Sequence, residues 1–82
     1  MRDFIEYLLK QIVTNPDAIK VVEEHEGGKE SNAYTYKIRA AKEDMGIIIG
    51  KEGRNIRSIR NVAKAKAIKE NTYVNVIIEE DE

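Results

Sequence analysis

The stretch "IIIGKEGRNIRSIR", residues 47–60, sets the tightest limit on what this chain can fold into. Three isoleucines end at Gly50, two charged residues follow, and Gly53 opens a segment whose apolar residues return at helical intervals. Glycine enters positive φ at little steric cost, so Gly50-Lys51-Glu52-Gly53 predicts a tight corner between two helices. Gly50 stands just past the last apolar residue of the first helix, the usual place for a helix-ending glycine. Lys51, Arg54, Arg57 and Arg60 then crowd the corner with positive charge.

Periodicity supplies the elements on either side. Phe4, Ile5, Leu8, Leu9, Ile12 and Val13 predict an amphipathic helix over residues 2–14. Asn15-Pro16 stops it, because the residue before proline is pushed out of the α region. β-Branched Ile19, Val21 and Val22 predict a strand over 18–25, and the loop Glu26–Asn32 makes it the hairpin partner of a strand over 33–40. There Tyr34, Tyr36 and Ile38 alternate with Thr35, Lys37 and Arg39. A short helix precedes Gly50, with Glu43 and Asp44 in its first turn, where carboxylates suit the helix dipole. A long helix over about 54–70 carries Ile56, Ile59, Val62, Ala63 and Ala67 as its buried stripe. The last strand is "YVNVII", with Val74, Val76 and Ile78 on one face, and the acidic tail from Glu79 is expected to fray.

The order is therefore α-β-β-α-α-β. The two-helix crossover between the later strands is long enough for parallel pairing. The prediction is an α+β domain: a three-stranded mixed sheet with helices packed on one face. Its 82 residues suit a single domain with a thin core. The chain has no cysteine, which excludes disulfides and thiolate metal sites and fits a reducing, cytoplasmic setting. The N-terminal segment is too charged for a signal peptide's apolar core and too short and charged to span a membrane.

Net charge is −1, yet the charges are segregated. Residues 37–69 hold ten Lys/Arg against three Asp/Glu; the remainder holds four against twelve. A positive face on an acidic body points to an anionic partner. A nucleotide phosphate loop does not explain it. Gly46-x-x-x-Gly50-Lys51 is one residue short of that motif, Glu52 replaces its hydroxyl, and Ile48 replaces the first glycine of a dinucleotide fingerprint. Two readings remain. One is a purely structural corner. The other is a turn that grips the sugar-phosphate of a single strand. There Gly50 and Gly53 admit close backbone approach, the next helix's N-terminus faces the anion, and Lys51 and Arg54 add charge-assisted contacts. In that reading Ile48 and Ile49 form one wall of an apolar groove for unstacked bases, and Ile56 and Ile59 form its base.

The stretch "IIGKEGRNI", Ile48–Ile56, resembles the core pattern of KH domains: a branched apolar pair, Gly-x-x-Gly, two residues and an isoleucine. KH modules clamp about four nucleotides of single strand with this loop. The α-β extension ahead of the core matches the type II arrangement. The resemblance covers essentially all of residues 1–82, with the core at about 33–79 and the extension at 2–25. It is similar to the small single-KH bacterial RNA-binding proteins of the KhpA family. That resemblance implies a cytoplasmic, non-catalytic single-stranded RNA-binding protein, an RNA chaperone, that forms a homodimer or pairs with another KH protein. It implies neither cofactor nor metal, no membrane and no small-molecule substrate. The RNA-binding set is Ile48, Ile49, Gly50, Lys51, Glu52, Gly53, Arg54, Ile56, Arg57 and Arg60. Glu52 fits least well, since it places a negative charge at the loop tip. The alternative is a protein-interaction domain whose Ile-rich groove and N-terminal helix serve dimerisation, with nucleic-acid contact incidental.

The remaining candidates are weaker. Arg54, Arg57, Arg60 and Lys64 fall on one side of the long helix, as a phosphate rail or a solubilising face. Lys37 and Arg39 suit a groove edge or plain surface. Tyr34, Tyr36 and Tyr73 suit packing better than base stacking. His25 is the one histidine, and the carboxylates gather at the termini and hairpin loop, so no catalytic constellation emerges.

Overall fold

The computed structural model describes residues 1–79. Helix α1 spans Arg2–Lys10 and a 3₁₀ turn Pro16–Ala18. The hairpin strands are β1 (Lys20–Glu26) and β2 (Ala33–Arg39). A 3₁₀ turn at Lys42–Asp44 leads into α2 (Met45–Ile49). A further 3₁₀ turn at Lys51–Gly53 leads into α3 (Arg54–Lys69), and β3 (Tyr73–Ile78) ends the fold.

The sheet order is β1-β2-β3, with β1–β2 antiparallel and β2–β3 parallel. Register aligns Val21 with Ile38 and Ile78, and places Tyr36 beside Val76. These side chains share one face of the pleat. With Ile5 and Leu9 of α1, Ile48 of α2 and Ile56, Ile59 and Ala63 of α3 they make one core, so the helices cover a single face. On the open face Lys37 pairs with Glu24 and Arg39 with Glu79 at 3.5 Å, which makes both basic residues surface groups.

Four features differ from expectation, each for a physical reason. Helix α1 ends at Lys10 rather than residue 14, because the Thr14 and Asn15 amides donate to the Asp44 carboxylate, at 3.0 and 2.9 Å. Strand β1 starts at Lys20 because Pro16–Ala18 turn first, with Ile19 donating to the Pro16 carbonyl. Val62 is 44% exposed and lies outside the core. Ala63 and Ala67 are buried while Val62 is not, so the stripe that α3 buries is narrower than the apolar pattern suggests. Glu79 does not fray: its amide donates to Ile38 at 2.9 Å. The rest of the expected frayed tail lies outside the described residues.

Candidate nucleic-acid interface

The glycine corner is built by backbone geometry that only part of its sequence advertises. Gly50 adopts φ 77°, ψ 172°, a region essentially closed to residues with a Cβ. A Cβ there would also sit 2.7–2.9 Å from the side chain and amide of Asn55. Gly53 adopts the left-handed conformation, φ 75°, ψ 17°, with open space around it. Between them Glu52 is left-handed as well, φ 57°, ψ 25°, at a cost of about 1–2 kcal/mol for a non-glycine residue.

Hydrogen bonds among the described residues hold this corner. Gly53 N–H donates to the Gly50 carbonyl at 3.1 Å. Arg57 reaches back one turn and donates through Nη2 to the Glu52 carbonyl at 2.8 Å. Asn55 donates through Nδ2 to the Ile47 carbonyl at 2.6 Å, satisfying one of the last carbonyls of α2. Asn55 carries only a weak sequence signal: two residues past a GxxG, it is a short amide placed to cap the preceding helix.

The corner presents Lys51, Glu52 and Arg54 to solvent. Among the described residues, no side chain caps the N-terminus of α3, so its first amides keep the partial positive charge of a helix start. Among the described residues, Lys51, Arg54, Arg57, Arg60 and Lys64 pair with no carboxylate; the ion pairs lie elsewhere, as in Lys66–Glu70 and Lys10–Glu6. Arg60 is half-buried and donates through Nε to the Val76 carbonyl at 3.0 Å, tying α3 to β3. The arginines expected to share one role thus divide. Arg54 has no partner among the described residues, Arg57 braces the loop, and Arg60 bridges to the sheet.

The isoleucines divide too. Ile48 is 0% exposed and belongs to the core, beneath any groove wall. Ile56 and Ile59 are also buried, while Ile49 is half-buried beside the loop and Ile47 is exposed.

Behind the corner, Asp44 is 1% exposed and takes four hydrogen bonds: from Thr14 N–H and Oγ1 at 3.0 and 2.6 Å, and from Asn15 N–H and Nδ2 at 2.9 and 3.2 Å. The Thr14 hydroxyl leads in holding the carboxyl down to about pKa 2. Expected only as a dipole-complementing residue, Asp44 instead locks the end of α1 to the start of α2. Tyr36 is packed in the core, donating to Glu23 at 2.7 Å, and burial pushes its phenol well above the usual range. Tyr34 stacks on His25, with ring centroids 4.7 Å apart. Tyr73 differs from both, at 76% exposed. Among the described residues, no group of three or more His, Asp and Glu can hold a metal ion, and no helix is long and apolar enough to cross a membrane.

The family model described as "KhpA/KhpB, KH domain" matches residues 2–78. The chain is 37% identical over 81 residues to the RNA-binding protein KhpA of Chlamydia caviae, covering 99% of each. It is 41% identical over 78 residues to that of Caldanaerobacter subterraneus subsp. tengcongensis, covering 95% of this chain and 99% of the relative. The RNA-binding protein KhpA of Clostridium perfringens matches at the same identity and coverage.

Proposed function

The chain belongs to the KhpA/KhpB KH-domain family, and on that premise we propose that it is a non-catalytic, cytoplasmic RNA-binding protein that grips about four nucleotides of single strand at the Gly50–Gly53 corner. One observation carries the reading. Two positive-φ glycines flank an exposed turn at the uncapped start of α3, where Lys51 and Arg54 are unopposed among the described residues. A phosphate there meets backbone amides, a helix dipole and two cations together. Arg57 shapes the loop, Arg60 bounds the groove against β3, and Ile49 lines it over a floor formed by Ile48, Ile56 and Ile59.

Fluorescence anisotropy against single-stranded and duplex RNA of one composition tests the grip. Two to three neutralised phosphates give a slope of log K against log[salt] of roughly −1.5 to −2 for the single strand. The duplex is expected to bind more weakly, because its bases are not free to enter a groove. A slope near zero, or equal affinity for both forms, would count against the grip.

Pairing with a second KH chain is supported by a cleft of about 320 Å³ between α1 and α3, lined by Leu8, Ile12, Ile59 and the exposed Val62. Light scattering of the parent and of Val62→Glu tests it. A dimer that becomes a monomer in the variant supports pairing through this cleft.

A further inference from the structure

Resting on the RNA-binding reading, we propose that the groove extends beyond the four-nucleotide grip to a nucleobase-stacking subsite at Tyr73. Because α3 and β3 run side by side, they form a crease whose steps can be followed residue by residue. Arg60 reaches the Val76 carbonyl, Lys64 and Val74 line one cleft, and Ile68 and Tyr73 border that cleft at the far end. From Arg54 to Ile68 the crease runs roughly 20 Å along α3, at 1.5 Å per residue.

The far end has the composition of a base site. Tyr73 is 76% exposed and Ile68 75%, unlike the packed Tyr34 and Tyr36. They share two clefts, of about 270 and 390 Å³. The first adds Lys64, which pairs with no carboxylate among the described residues. The second adds Asn32 and Asn71, whose amide side chains make no hydrogen bond among the described residues. An aromatic face, an aliphatic neighbour, amides for a base edge and an ammonium for phosphate together suit a nucleotide. Glu70, just past the end of α3, is held by Lys66 at 3.2 Å.

The platform is also preorganised. Tyr73 N–H donates to the Asn32 carbonyl at 2.9 Å, and Thr72 N–H returns to the Ala67 carbonyl at 2.9 Å. Asn71 takes the left-handed conformation, φ 57°, that closes the end of α3. The backbone beneath the ring is therefore fixed before any ligand arrives, which lowers the ordering cost of binding.

The test compares labelled single-stranded RNAs of four and eight nucleotides binding to the parent, Tyr73→Phe, Tyr73→Leu and Tyr73→Ala. The parent and Tyr73→Phe are expected to hold the octamer more tightly than the tetramer. Tyr73→Leu and Tyr73→Ala should lose about fivefold or more on the octamer, with an unchanged salt slope and unchanged tetramer affinity. Full octamer affinity in Tyr73→Ala, full rescue by leucine, or equal losses on both lengths would overturn the subsite while leaving the grip intact. Failure of the parent to bind even the tetramer would overturn the RNA reading itself, and the subsite with it. Thermal melts of all four proteins confirm that a lost affinity is not a lost fold.

Discussion

The Arg57 guanidinium lies 2.8 Å from the Glu52 carbonyl, and that carbonyl belongs to a left-handed residue inside the exposed loop. A residue that sequence alone offers as a phosphate contact is therefore engaged in holding the loop's shape. Glu52→Gly should remove the left-handed penalty and stabilise the protein by up to about 1 kcal/mol, the flexibility of glycine offsetting part of the gain. Glu52→Val should destabilise it, since a β-branched residue resists positive φ. Urea denaturation of the three proteins measures the order. Equal stabilities would mean that the turn does not impose the conformation.

The two glycines should behave differently when replaced. Gly50→Ala meets Asn55 at under 3.0 Å and occupies a glycine-only region, so a loss of about 2 kcal/mol or more is expected. Gly53→Ala meets no atom within 4 Å and bears only the left-handed penalty, about 1–2 kcal/mol. Gly53→Asn should cost less again, because asparagine tolerates that region. Chemical denaturation in which Gly53→Ala proves the more damaging would contradict this geometry.

How much of this was legible in sequence varies with the range of the interaction. Element order and the glycine corner follow from local pattern, because periodicity and positive φ are written within a few residues. Asp44 was legible only as a helix-start carboxylate, since its partners Thr14 and Asn15 lie about thirty positions away. The sequence places Val62 in the core because an apolar stripe shows direction but not width. Spacing places Arg57 and Arg60 on one helical face with Arg54, which adjoins the loop, while their hydrogen bonds depend on where the loop and β3 come to rest.

The Asp44 latch predicts a specific acid limb. Its folded pKa, about 2, lies below the unfolded value of about 3.9. The stabilisation is present above the unfolded value and is lost as pH falls through the folded one. Melting temperature should therefore drop between about pH 4 and 2 in the parent. Asp44→Asn should melt lower at neutral pH and show a flatter profile across that window. Parallel profiles for the two proteins would remove Asp44 as the cause.

Ile59 and Val62 separate core from surface within one turn of α3. Ile59 is 7% exposed, Val62 44%. Ile59→Ala should cost about 2–5 kcal/mol as a buried truncation, and Val62→Ala about 0.5 kcal/mol or less in the monomer. If equilibrium unfolding gave comparable losses, the narrow-stripe account of α3 would be wrong.

The loop itself can be tested apart from the fold by Lys51→Asp combined with Glu52→Asp. Both side chains are exposed, and aspartate accepts the left-handed backbone required at position 52. Stability should change by no more than about 0.5 kcal/mol. The electrostatics do not survive, because a cation beside the bound phosphate becomes an anion. Loss of one charge-assisted contact costs about 1.5–3 kcal/mol, and repulsion adds to it. Affinity for single-stranded RNA should fall at least about tenfold, each 1.4 kcal/mol being a factor of ten. A double variant that stays folded by circular dichroism and binds as tightly as the parent would reduce Gly50–Gly53 to a structural corner. The binding surface would then have to lie away from the start of α3.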